Sequence, residues 1–455
     1  MPDNAKLTRG SIAGHLWKQT SPVVLGVAAI MSIGIIDAYF VGQLGPEALA
    51  AISFIFPVTT ALASLGVGVI AGTSSVVSRA LGAGETHTAR EFGNLAILAG
   101  LVMGLFVAAL VYFLRMPLFE LMQAEEEQLS LIDDYMVPFA LGFPLLLVVM
   151  GINGVLRGQG AAKRSTAILL SFAIANWVLD PILIDGAFGI DGFGIKGAAY
   201  ATVAGWALGC AVGFGLLQSS KISFHPRHVI GARWKDGLAS LARVAGPAAF
   251  SNSVNPVGLA ILTSLLAAEG ASTVAGFGIG GRLQTFAVVP LLALSSSIGA
   301  IVGQNWGAQE TSRVRNAMVY AIGFCVVYGL LSAIVLFTGR NWFAANFSDD
   351  PVAVEAAARY LQIAVWGYAG YGILIVANGA FNAIDKAPLA LALSLGRVLA
   401  VMLPFAWLFQ SNWGADAVFS AELASNWVGA AAGLLSCAMI FGLFGSRHCA
   451  SPASG

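Results

Sequence analysis

The sequence predicts an all-α integral membrane protein, with twelve transmembrane helices in two parallel six-helix lobes around a central cavity. Three observations carry this expectation. Charged residues make up 10% of the 455 and hydrophobic ones 58%, with a mean hydropathy of +0.81. A soluble domain carries roughly a quarter charged residues, so lipid must face much of this surface. Lys and Arg also fall unevenly on the loops. The chain, finally, repeats itself at an offset of 225 residues.

A helix needs about 20 apolar residues to cross a bilayer. Spans are read near 16–42, 48–79, 90–114, 130–156, 164–184, 196–218, 240–268, 273–304, 314–338, 354–383, 387–409 and 421–444. With both ends of the chain inside, seventeen of the 23 Lys and Arg lie on inside segments, including Arg447. The outside holds Arg115, Lys196, Arg340 and Arg359. This is the positive-inside asymmetry of an even number of spans. The basic N-terminal stretch is too long and polar for a secretory signal. The loop SSKISFHPRHVIGARWKDG follows the sixth span. It divides residues 1–218, a first lobe with the cation site, from residues 240–455, with 219–239 as a basic linker.

The repeat joins separated motifs. Gly82-Ala83-x-Glu85-Thr86 falls on Gly307-Ala308-x-Glu310-Thr311, Asn153-Gly154 on Asn378-Gly379, Pro22 on Pro247 and Tyr135 on Tyr360. Six spans return the chain to the same side, so the halves are parallel. Paired repeats of this kind rock around a site near the midplane.

An ionisable residue inside a span is costly and a functional candidate. Asp37 lies in the first span and Asp180 in the fifth; Arg282 and Arg397 lie in or near the eighth and eleventh. Asn176 precedes Asp180 by one turn and shares its helix face. Pro181 follows and frees backbone carbonyls. A carboxylate, an amide and loose carbonyls suit a hard cation, which prefers oxygen ligands, or a proton. Asp37 and Asp180 are therefore expected to form one coupling site, serving as metal ligands if the ion is sodium. The plain alternative is that they tie helices together. Arg282 reads as a structural tie, and Arg397 as a side chain that snorkels to the cytoplasmic interface. No acid lies deep in the second-half spans on this reading, which confines coupling to the first half. All five histidines, His15, His87, His225, His228 and His448, fall near the cytoplasmic side. Pro22 is either a hinge in the first helix or a helix-start proline. The four cysteines are scattered and form no disulfide or metal pattern.

Motifs of membrane enzymes are missing: no His-Glu-x2-His, Gly-x-Ser-x-Gly or Gly-x4-Gly-Lys-Ser/Thr occurs. The protein is not expected to be an enzyme and no cofactor is expected beyond H+ or Na+ as coupling ion. The loop RALGAGETHTAREFG after the second span lacks the Gly-x3-Asp-Arg-x-Gly-Arg signature of major-facilitator transporters.

The segments DAYFVGQLG from Asp37, VSRALGAGE at 77–85, NGVLRGQG at 153–160, NWVLDPI at 176–182, GAAYAT at 197–202 and VGQNWGAQE at 302–310 act together. With them the chain resembles the multidrug and toxic compound extrusion family, of the multidrug/oligosaccharidyl-lipid/polysaccharide flippase superfamily. The resemblance implies two lobes in a V and drug antiport against protons or sodium. It implies a first-lobe cation site of Asp37, Asn176, Asp180 and Thr202. Tyr135 and Asn153 would be polar neighbours, and Pro22 the kinking proline. The seventh and tenth spans lack the acids of the NorM-like branch, so the chain looks DinF-like. Ile33 stands where some relatives place a tyrosine. The implied setting is the bacterial inner membrane, multi-pass, both termini cytoplasmic. Expected partners are the lipid bilayer and amphipathic, cationic small molecules; no nucleic acid is expected, and the chain is expected to be a monomer. A lipid-linked oligosaccharide flippase is the alternative, kept open by Arg282 as a near-site cation.

Overall fold

The computed structural model describes residues 5–187 and 189–443; Arg447, His448 and Cys449 lie outside them. The twelve expected spans are all present: α1 (Ile12–Gln43), α2 (Pro46–Gly82), α3 (Thr86–Leu121), α4 (Glu126–Gly158), α5 (Ala162–Ile184), α6 (Ile195–Gln218), α7 (Trp234–Glu269), α8 (Ala271–Gly307), α9 (Thr311–Thr338), α10 (Pro351–Ala383), α11 (Ala387–Trp413) and α12 (Ala415–Phe441). Most run several residues past the apolar stretch. Local chemistry sets those ends. Ser11 accepts from the Gly14 N–H ahead of α1, Glu125 and Gln128 form a capping box on α4, and Asp350 accepts from Val352 at 3.0 Å on α10. Such caps satisfy donors that have no partner within the helix.

Each lobe has its own apolar core. The first joins α2, α3, α4 and α6 through Phe119, Phe139, Phe143, Leu147 and Ile152. The second lobe has two cores, one around Ile298, Phe381 and Cys325, the other around Tyr360, Tyr368 and Phe419. The most enclosed helices of the two lobes are α4 and α10, which are repeat equivalents. Helix α1 stands between the lobes, against α5 on one side and α8 on the other. Leu7, Ile12 and Leu16 pack into the second lobe's core.

The lobes meet at the end of the bundle that holds the N-terminal segment. There the ends of α2 and α8 cross almost backbone to backbone. A Cβ at Gly82 would stand 2.1 Å from the Gln304 carbonyl oxygen, and one at Gly307 2.1 Å from the Arg79 carbonyl oxygen. These glycines are repeat equivalents, and only their missing side chains permit the crossing. Hydrogen bonds lock the same end: Ser75 Oγ to the Asn382 carbonyl at 2.6 Å, Gln304 Nε2 to the Gly158 carbonyl at 2.9 Å, and Arg157 to Ser296 Oγ. Arg79 pairs with Asp385 across the lobes at 3.4 Å.

Gly82→Val is therefore expected to hold this end apart. Spin labels on α2 and α8 near the crossing should report longer inter-lobe distances by electron–electron double resonance. Unchanged distances would mean that the crossing does not close the lobes.

Candidate functional site: paired acids beside an inter-lobe cavity

Five residues from four helices of the first lobe converge. Asp37 comes from α1, Asn176 and Asp180 from α5, Thr202 from α6 and Tyr135 from α4. Asn176 and Asp180 are one turn apart, and Pro181 leaves the Trp177 carbonyl without its usual intrahelical N–H. Asp180 and Asn176 are fully buried. The carboxyl groups of Asp37 and Asp180 are in mutual contact. Asn176 Nδ2 donates to Thr202 Oγ1 at 3.4 Å, which turns the amide oxygen away from Thr202. Tyr135 stands beside both acids and Thr202.

The oxygens of this cluster lack donors. Asp37 Oδ1, both Asp180 carboxylate oxygens and Asn176 Oδ1 are buried with no hydrogen-bond partner among the described residues. Each such atom costs ~1–3 kcal/mol, and two touching carboxylates add repulsion. An all-acceptor cluster is relieved by a proton or by a hard cation taking oxygen ligands. The residues present fit either ion.

Asp37 also lines a cavity of about 1040 Å³ between the lobes. This is at the upper end of the range for sites that enclose drug-sized ligands. Its wall is largely apolar and aromatic, with Phe139, Phe172, Trp206, Met150 and Tyr371 among its residues. The lining residues with a formal charge are Asp37, Arg157 and Arg397. Asp180 lies behind Asp37, off the cavity.

The structure corrects four sequence expectations. Arg397 does not snorkel: it is 5% exposed and faces the cavity. A π-helical stretch, Gly396–Met402, interrupts α11 there; such stretches often mark functional sites. Its guanidinium donates to Asn426 and Asn255 and lies 5.3 Å from the Tyr371 ring centre. Arg282 is exposed and outside the cavity lining. Asn153 is not near the acids. It exchanges hydrogen bonds with Ser165, at 3.2 and 2.9 Å, and sits about 27 Å along α4 from Tyr135. The second lobe does hold a deep acid, Glu422 on α12, 3% exposed. The apolar pattern started the last span at 421, but α12 begins at Ala415 and carries Glu422 inside. Pro22 lies in the interior of α1, not at its start.

Two lobes around one cavity, with the unsatisfied acid Asp37 at its wall, have the architecture of a membrane transporter. The chain belongs to the MatE family, whose model matches it twice, over residues 22–182 and 247–408. The two matches start 225 residues apart, the offset of the internal repeat. The chain is 34% identical over 409 residues to a FAD transporter of Shewanella oneidensis, covering 90% of each. It is 25% identical over 411 residues to the probable multidrug resistance protein YpnP of Bacillus subtilis, again covering 90% of each. A crystal structure of a point mutant of the Vibrio cholerae MATE transporter VcmN superposes with a TM-score of 0.89 at 28% identity, covering 93% of this chain and 96% of that one.

Proposed function

We propose that the protein is a cation-coupled antiporter of the DinF-like branch that exports amphipathic small molecules across the bacterial inner membrane. The observation that carries this reading is the donorless oxygen cluster of Asp37, Asp180 and Asn176 at the edge of the inter-lobe cavity. A proton or sodium ion binds there, with Thr202 and Tyr135 at its margin. The positive-inside pattern makes the closed end of the bundle cytoplasmic, so the cavity belongs to an outward-facing state. Coupling needs an ion that favours one lobe arrangement over the other. Helix α1 touches both lobes and carries both Asp37 and Pro22, so a proline-centred bend of α1 would transmit ion binding at Asp37 to the lobe contacts.

For the cargo, multidrug export agrees with the apolar, aromatic cavity and with relatives such as YpnP. A second reading is export of an anionic aromatic, a flavin dinucleotide. Two observations favour it: the 34% identity to a FAD transporter, and Arg157 and Arg397 in the cavity wall. Both guanidiniums are held by neutral partners, Ser165 and Ser296 for one, Asn255 and Asn426 for the other. Neither makes a salt bridge among the described residues. A buried charge without a counterion is costly, and a phosphate would supply one. Arg282 stands outside the cavity and lends the lipid-linked oligosaccharide alternative no support.

Proteoliposomes with separately imposed pH and sodium gradients test this reading, with a cationic dye and FAD as alternative cargoes. Uphill movement of one cargo under one gradient is the expected result. Movement that ignores both gradients would remove the coupling role.

A further inference from the structure

We propose that Glu422 is a second proton-binding site, in the second lobe, and that its proton controls how strongly Arg397 holds an anionic group in the cavity. The second half of this proposal rests on the reading of Arg397 as a cargo-binding cation; the first half does not.

The case for a bound proton is a count of hydrogens. Gln284 on α8 donates its amide N–H to Glu422 Oε1, which leaves Gln284 Oε1 as an acceptor. Tyr360 Oη lies 2.9 Å from Glu422 Oε2 and 3.1 Å from Gln284 Oε1. A tyrosine hydroxyl carries one hydrogen. If Glu422 is ionised, Tyr360 has two acceptors within reach and can serve one. If Glu422 is protonated, its hydroxyl donates to Tyr360 and Tyr360 donates to Gln284. Both contacts are then true hydrogen bonds. The triangle has a place for one proton more than an ionised carboxylate supplies.

Its surroundings agree. Glu422 and Tyr360 are buried, at 3% and 0% exposure. The titratable or charged groups that face Glu422 are Tyr360, Tyr368 and Tyr371 from α10 and Arg397 from α11. The α8 neighbour, Gln284, is neutral. Arg397 makes no ion pair with Glu422. Asn426, one turn further along α12, takes the Arg397 hydrogen bond instead. Helix α12 therefore carries the acid and, one turn on, the amide that orients the cavity's cation.

The linkage follows from charge. An ionised Glu422 offsets the Arg397 guanidinium through the low-dielectric interior. Protonation, with the proton taken from water, leaves Arg397 uncompensated, and an anion in the cavity becomes its counter-charge. Anion binding and proton binding then reinforce each other, and the effect is reciprocal.

The experiment uses purified full-length protein with Asp37→Asn and Asp180→Asn, so that the first-lobe acids do not titrate. FAD is the probe, because its phosphates stay ionised across the range tested. Its affinity, read by flavin fluorescence, should rise about tenfold from pH 8 to pH 5.5. Adding Glu422→Gln, which fixes the neutral form, should hold the affinity within about twofold over the same range. An undiminished pH slope in Glu422→Gln would overturn the linkage. Infrared difference spectra of the wild type provide a second arm: a protonated-carboxyl band that titrates and vanishes in Glu422→Gln is expected. No such band at any pH would overturn the proton site. Absence of FAD binding at every pH would sink the anionic-cargo reading and the linkage with it, while the infrared arm still decides the proton on Glu422.

Discussion

Asp37→Asn is expected to reduce gradient-driven export to the level of vesicles without protein, while the mutant folds and inserts normally. Asparagine has the shape of aspartate but cannot hold a proton or neutralise a cation. It leaves Asp180 alone, off the cavity, without the second carboxylate whose repulsion an ion relieves. Removing an intramembrane acid lowers an insertion cost of at least ~2.5 kcal/mol, so the variant is expected to insert as the wild type does. The cavity wall is otherwise intact, so downhill exchange of cargo across a membrane without an ion gradient should persist. The check is a pair of assays on one preparation: uphill efflux lost, downhill counterflow kept. Loss of both would make Asp37 a packing residue, and retention of both would take it out of the mechanism.

Arg397→Ala is expected to weaken FAD binding by about 30-fold or more, the effect of removing one partner of a buried charged contact. Binding of a cationic dye should be unchanged or stronger. Arg397→Lys sharpens the comparison. Lysine keeps the charge but loses the planar fork that reaches Asn426 and Asn255 together, so it should recover part of the FAD affinity. Equal loss of both cargoes in the alanine variant would show that Arg397 only braces α11 against α12. Equilibrium binding to purified protein separates these outcomes without involving the transport cycle.

Much of this architecture was legible in the residues, and the gaps have physical causes. Hydropathy located twelve spans because lipid demands long apolar runs. The 225-residue offset exposed the lobes because Gly82 and Gly307 meet the same steric demand at the crossing. Asp37 and Asp180 stand out because an acid in a span is rare, Asn176 because it lies one turn before Asp180, and the structure brings all three together with Thr202 and Tyr135. Hydropathy carries no information about which helix face looks inward. Arg282 and Arg397 thus looked alike in sequence, yet one is exposed and the other lines the cavity. The π stretch that carries Arg397 has no apolar signature. Glu422 was missed at a span edge, since Asp416 and Glu422 lower the local hydropathy while the helix runs on beneath them. The family resemblance places Asn153 among the candidates, but its partner Ser165 makes it a tie between α4 and α5.

Ion and cargo are expected to exclude one another through the Asp37–Asp180 pair. The most direct test is the ion released when cargo binds to purified protein, measured in weak buffer for protons and with a sodium-selective probe for sodium. Release of one of these ions from the wild type, and none from Asp37→Asn, is the predicted result. Cargo that binds without displacing either ion, or displaces it equally from both proteins, would mean that ion and cargo do not compete through Asp37.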